Sequence, residues 1–560
     1  MVRYSMAAAF YRSRQERGPN EPAERRNGPA HVEKGEHKMR IVAIAFGSLL
    51  TFASVAAGQT SRTTPAACEA LQGLEIARVA LTVTQTEWFA AGAPLPPGRR
   101  GGPPVASSLP AYCRLDGMID PRESAAGATY GIGFALALPE DWNGRFLFQG
   151  GGGLNGTVQV PLGASAAGNT PALARGFAVV STDTGHQGTG PFDGSFFQDQ
   201  QASLDFAYVA VGRVAEIAKR IVAQHYGKPP DHSYFAGCST GGREAMLMAQ
   251  RYPTYFDGVI AGAPAMRTSY SGIGDRWVAV TLNEIAPKDA QGRPVTREAL
   301  SERDKQTVID GIVNACDAND GIADGMIFNV NACTFDPKTL VCSGAKTDGC
   351  LSMAQATTLE KAFSGPKDSS GRQVYPGFAW DTGLAVTQGL PGLLHGGQVV
   401  GGAATTIGMD VDAAVERVLA DPGEPLTTTS RWTNLNTFSG RGGKLMFWHG
   451  VSDPWFSALD TVDYYERLTE ANGGPDQARE WSRLFLVPGA GHCGGGPSLD
   501  TFDALSAMVR WVEQDEAPDR MTATGRGFPG RSRPLCAYPE HAHYTGQGNT
   551  EHAASFECRP

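Results

Sequence analysis

Gly237-Cys238-Ser239-Thr240-Gly241 constrains this chain more than any other stretch of it. The pentapeptide lies between an apolar run, Ser233-Tyr234-Phe235-Ala236, and a helical pattern over 243–252. A G-x-S-x-G between strand and helix requires a tight turn that lifts the serine hydroxyl above a sheet, where a nucleophile must stand. In a chain with 70 glycines the pentapeptide alone would decide little. Its flanks decide.

Strand-like apolar runs at 130–139, 145–149, 177–181, 233–236 and 259–263 alternate with helical patterns, the clearest over 207–226. The alternation resumes with strands at 444–449 and 482–487 and a helix over 499–511. Strands alternating with helices predict a parallel sheet covered on both faces. The expected class is therefore α/β, an α/β-hydrolase fold. Residues 266–442 break the pattern: they are loop-rich and hold Cys316, Cys333, Cys342 and Cys350. They are expected to form a large inserted lid domain between the two parts of a catalytic domain, 68–265 and 443–560. At 41% hydrophobic and 19% charged, the 560 residues suffice for a core of that size. A net charge of −9 argues against nucleic acid and anionic membranes as partners.

Residues 39–57 read as a signal peptide, with Lys38 and Arg40 before an apolar stretch at 41–52 and small residues Ser54-Val55-Ala56-Ala57 behind it. The stretch is too short for a membrane span. Residues 1–38 show no helical or strand period and are expected to be a disordered extension or an over-long gene start ahead of Met39. The expected location is secreted or periplasmic. Ten cysteines without a C-x-x-C then suggest five disulfides rather than zinc or thioredoxin chemistry. Spacing favours near neighbours (316 with 333, 342 with 350, 536 with 558) and leaves the remaining connectivity open.

A serine hydroxyl needs a base within hydrogen-bond reach and an acid to orient that base. The order in α/β-hydrolases is serine, acid, histidine. Gly450-Val451-Ser452-Asp453 follows one resumed strand and Pro488-Gly489-Ala490-Gly491-His492-Cys493 the next. Asp453 is expected to orient His492, and His492 to act as general base. His449 and His186 are rival histidines; Asp183, Asp460 and Asp463 are rival acids with poorer strand-end context. Gln149-Gly150-Gly151-Gly152-Gly153-Leu154-Asn155-Gly156 suits an oxyanion loop, with the Thr240 amide as second donor. It lacks the Lys-Ser/Thr of a phosphate-binding loop, and no organic cofactor is expected. Residues 316–326 (CDANDGIADGM) place three carboxylates and two glycines in a tight loop, which suits calcium although the spacing is not that of an EF-hand.

Together, Cys238-Ser239, Asp453, His492-Cys493, the ten cysteines and the acidic loop resemble the tannase/feruloyl esterase family over about 68–558. The resemblance implies disulfides Cys68–Cys113, Cys238–Cys493, Cys316–Cys333, Cys342–Cys350 and Cys536–Cys558. It implies a structural Ca2+ in the lid, held by the side chains of Asp317, Asp320 and Asp324 and the carbonyls of Ile322 and Met326. It makes Gly153 the oxyanion glycine. Residues 450–468 and 533–539 look most like the mono(2-hydroxyethyl) terephthalate hydrolase branch, which implies Phe456 as a wall of the acyl pocket; His449, where the turn to Asp453 begins, is expected to be a structural or pocket-lining, substrate-binding histidine. That branch grips its substrate's free carboxylate with a lid arginine, yet here 373–416 contains no Lys or Arg. Losing such a charge-assisted hydrogen bond costs about 1.5–3 kcal/mol.

The expectation is a secreted serine esterase that hydrolyses esters of uncharged phenolic acids, such as feruloyl or galloyl esters, through an acyl-enzyme. A terephthalate-monoester hydrolase is the alternative within that chemistry, a lipase or peptidase a more distant one, and a catalytically silent secreted binding protein the alternative outside it. The expected partner is a small aromatic ester; the sequence leaves monomer or homodimer open.

Overall fold

Nine strands join in one sheet in the order β1-β2-β3-β5-β4-β6-β7-β8-β9. They are β1 Leu81–Phe89, β2 Tyr112–Glu123, β3 Thr129–Pro139, β4 Arg145–Gln149, β5 Ala178–Thr182, β6 His232–Cys238, β7 Gly258–Gly262, β8 Lys444–Gly450 and β9 Ser482–Val487. The structure, a computed structural model, describes residues 62–93, 108–125, 127–397 and 404–560; the expected extension 1–38 and signal segment 39–57 lie outside them.

From β5 through β9 all neighbours are parallel. These strands are short and apolar, as strands covered on both faces must be. The expected all-parallel sheet is corrected at its other end, where β1, β2, β3 and β5 pair antiparallel. The short link between Glu123 and Thr129 permits only a hairpin, because a parallel return needs a crossover of about a dozen residues. Alternation in β2, where Leu115 is buried and Arg114 and Asp116 are partly exposed, marks an amphipathic strand rather than a central one.

The helix Ala210–Tyr226 buries Val214, Ile217, Ala218 and Ile221 on the sheet and ends at Gly227, whose φ of 76° provides a left-handed cap. It starts three residues later than its periodicity suggests, after a π-turn at Asp205–Val209. The last sheet helix, Ala504–Gln514, begins at its Asp503 cap and not at 499.

The described residues of 263–443 contribute no strand to the large sheet. The helices Thr268–Leu282, Glu302–Cys316 and Met353–Phe363 instead surround their own apolar cluster, which includes Val278, Leu282, Val308, Ile312, Leu359 and Phe363. Two of these helices open on capping boxes, Ser301 with Asp304 and Ser352 with Gln355. Five disulfides close in the pairing the resemblance implies. Among the described residues no helix is long and apolar enough to cross a membrane.

Candidate active site

The carboxyl ends of β4, β6, β8 and β9 carry the glycine loop, Ser239, Asp453 and His492 respectively. Ser239 sits between β6 and the fully buried helix Thr240–Gln250 with φ 67° and ψ −124°. Side chains seldom adopt that conformation, which costs on the order of 1–3 kcal/mol. The surrounding glycines make the turn feasible. A Cβ on Gly237 would lie 2.5 Å from the Gly241 backbone, and one on Gly241 would lie 2.7 Å from the Gly151 carbonyl.

Asp453 is 1% exposed and accepts four hydrogen bonds. Its Oδ1 takes the amides of Trp455 at 2.9 Å and Phe456 at 3.1 Å. Its Oδ2 takes His492 Nδ1 at 2.7 Å and His449 Nε2 at 3.2 Å. Burial alone would raise this carboxyl, but the His492 imidazole and both histidine hydrogen bonds outweigh it and hold Asp453 well below the usual carboxylate range. With its Nδ1 proton committed to Asp453, His492 presents a bare Nε2, and that buried atom has no protein partner.

His449 needs correction. It is fully buried and presents no accessible surface to a substrate. Nε2 faces two acceptors, Asp453 and the Phe456 carbonyl at 3.0 Å, so it carries the proton, while Nδ1 accepts from the Thr461 hydroxyl at 2.8 Å. It is a second donor to the acid. Phe456 does stand at the site, its ring 5.2 Å from that of His492.

The disulfide Cys238–Cys493, with Cα atoms 6.0 Å apart, joins the residue before Ser239 to the residue after His492. It brings nucleophile turn and base turn together across 255 residues of chain. The Thr240 hydroxyl donates to the Gly153 carbonyl, so both proposed oxyanion amides lie beside the serine turn. Neither amide has a protein acceptor among the described residues.

The rivals sit elsewhere. Asp460 pairs with Arg267 and Asp463 with Arg467. Asp183 accepts from the Gly133 and Gly185 amides; burial pushes it up to about 7. His186 is buried and stacked 3.8 Å from the Phe196 ring.

Two carboxylates escaped the sequence reading. Glu244, fully buried, accepts from the Gly151 amide at 2.9 Å and Asn155 Nδ2 at 2.6 Å, anchoring both ends of the glycine loop. Burial raises its carboxyl, an effect those donors temper. An acid in an otherwise apolar helical run was its only signal. Asp381, also fully buried, accepts from Ser452 Oγ and the Gly489 amide, both at 2.7 Å, and so ties the segment between β7 and β8 to the turns bearing Asp453 and His492. Nothing local in the sequence announces it.

In the acidic loop, Asp317 Oδ2 accepts from the Gly325 amide at 2.9 Å and Asp320 Oδ2 from the Phe328 amide at 3.0 Å. The Oδ1 atoms of both are buried without a partner. Burial, with Asp324 and Asp317 nearby, pushes Asp320 up to about 7. A cation would satisfy both orphaned oxygens, so these two residues fit calcium. Asp324 stands apart: its Oδ2 is held by Arg533 and Arg531, and its Oδ1 accepts from the Met326 amide at 3.2 Å. Among the described residues no three acidic, His or Cys side chains converge as a metal cage.

A serine turn at the end of one central strand, tied by a disulfide to the turn of a buried Asp–His pair, sits on a sheet of the α/β-hydrolase kind. The sequence profile described as tannase and feruloyl esterase matches residues 113–414 and 397–559, and the chain belongs to that family. It is 38% identical to the mono(2-hydroxyethyl) terephthalate hydrolase of Piscinibacter sakaiensis over 522 residues, which is 81% of this chain and 85% of that protein. The crystal structure of feruloyl esterase B from Aspergillus oryzae superposes with a TM-score of 0.71 at 27% identity, covering 88% of this chain and 99% of the other. Tannin acyl hydrolase from Aspergillus niger shares the fold, with a TM-score of 0.66 at 23% identity over 89% of this chain and 95% of the other. The protein is a carboxylic ester hydrolase.

Proposed function

We propose that Ser239 attacks the ester carbonyl while His492 Nε2 takes its proton, with Asp453 fixing the imidazole and the amides of Gly153 and Thr240 receiving the oxyanion. The alcohol leaves with the proton from His492, and water activated by the same nitrogen releases the acid from Ser239. The observation that carries this reading is the 2.7 Å Asp453–His492 bond, on a turn locked by a disulfide beside Ser239.

The favoured substrates are esters of neutral aromatic acids, feruloyl or galloyl in type. One observation supports that choice: residues 373–416 offer no cation to a substrate carboxylate. Purified protein with calcium, given methyl ferulate, methyl gallate and mono(2-hydroxyethyl) terephthalate, should show at least about tenfold higher kcat/KM on a neutral ester, since a lost charged hydrogen bond amounts to ~1.5–3 kcal/mol. Preference for the terephthalate monoester would overturn the acyl assignment and leave the esterase mechanism standing.

The segment 266–442 acts as the lid in this reading, and calcium is its structural ion. Asp317 and Asp320 would hold the ion with the carbonyls of Ile322 and Met326, while Asp324 stays paired with Arg531 and Arg533. Bound calcium supplies charge neutralisation, not chemistry. At a concentration a hundred times its Kd it should stabilise by about 2.7 kcal/mol. Chelation should therefore lower the Tm by several degrees, reversed by calcium better than by magnesium; a Tm indifferent to both would remove the ion from the proposal. Secretion also belongs to this reading, supported by the 39–57 segment and by five disulfides, which persist in oxidising compartments.

A further inference from the structure

We propose that Phe192 and Trp455 form the subsite for the alcohol half of the ester, and that it takes an alcohol bearing an aromatic ring. This rests on the reading of His492 as the base that later protonates the leaving alcohol. The two rings meet edge to face, with centroids 5.6 Å apart and planes at 85°.

Each ring belongs to a different side of the site. Phe192 lies against the glycine loop: a Cβ on Gly153 would stand 3.8 Å from its ring, and the neighbouring Pro191 carbonyl accepts from the Leu154 amide at 3.0 Å. Trp455 belongs to the acid turn, its amide on Asp453 and its indole centred 5.0 Å from the His492 imidazole. The pair thus spans from the oxyanion side to the base.

The direction of the reaction assigns the half of the substrate. The departing oxygen must meet His492 Nε2, so the group attached to it passes beside Trp455. The alcohol leaves while the acid is still bound to Ser239, which requires that its subsite open to solvent. Phe192 is 47% exposed, a large apolar face held at the rim. An aromatic ring laid there would be covered by offset or edge contacts with both side chains.

The test compares kcat/KM for methyl and benzyl benzoate, which share the acid and differ in the alcohol. Wild type should favour the benzyl ester about tenfold. Phe192→Ala and Trp455→Ala, checked for folding by circular dichroism, should each bring the benzyl-to-methyl ratio towards one, mostly through KM. Phe192 is exposed enough that its removal leaves the core intact. A wild-type ratio near one, or a ratio unchanged in both variants, overturns the subsite while the esterase reading stands. Loss of the same factor on methyl esters of different acids would place the rings in the acyl pocket instead. Failure of wild type to cleave any methyl or benzyl ester would sink the esterase mechanism and the subsite together.

Discussion

Ser239→Ala should lower kcat on any ester by on the order of 10⁶-fold, leaving only the residual assistance of the oxyanion amides and binding. The size follows from the chemistry: without the hydroxyl there is no acyl-enzyme, and His492 has no proton to take. Stability should move little, because the Ser239 side chain caps no helix and its backbone amide, bonded to the Gly262 carbonyl at 3.0 Å, is retained. Ser239→Gly sharpens the result. Glycine accepts φ 67° freely, so that variant should be as dead as the alanine one and no less stable than wild type. Chemical denaturation and the burst of alcohol from an activated aryl ester measure the two effects separately. An alanine variant with wild-type turnover would mean that the nucleophile is another residue. A wild type that releases no alcohol from any ester, in a burst or at steady state, would remove Ser239 from the chemistry altogether.

The strand-end placement of Ser239, Asp453 and His492 was legible in the sequence because the central strands announce themselves. Runs such as 145–149 and 482–487 are apolar throughout, and polar residues directly after them fall at the sheet's carboxyl edge. Ser239, Asp453 and His492 all have that local context. The antiparallel edge was harder to read, since β1 is only partly covered and the middle of β2 buries only alternate residues. Long-range contacts were not legible at all. Asp381 meets Ser452 and Gly489 across 71 and 108 residues, and Phe192 meets Trp455 only once two loops converge. His449 shows a subtler failure. Its place at the end of β8 is right for a pocket, but the turn at Asp453 folds back over it and makes it a hydrogen-bond donor to the acid.

Asp453→Asn should cost about 10⁴-fold in kcat although it changes the side chain by one group. The four donors around the wild-type carboxylate explain why. If the new amide nitrogen takes the Oδ2 place, it points N–H bonds at His492 Nδ1 and His449 Nε2. His492 must then accept at Nδ1 and carry its proton on Nε2, where Ser239 needs a lone pair. If the nitrogen takes the Oδ1 place, it opposes the amides of Trp455 and Phe456, and each donor left without an acceptor costs about 1–3 kcal/mol. Neither orientation preserves both tautomer and turn. Stability should fall as well, with a definite pH signature. The folded pKa of Asp453 lies below its unfolded value, so the wild-type contribution is complete above about pH 4–5 and is lost as pH falls through the folded pKa. The stability gap between wild type and Asp453→Asn should therefore be widest near neutrality and narrow in acid. A gap independent of pH would show that the substitution acts through packing, and unimpaired turnover would hand the orienting role to another acid.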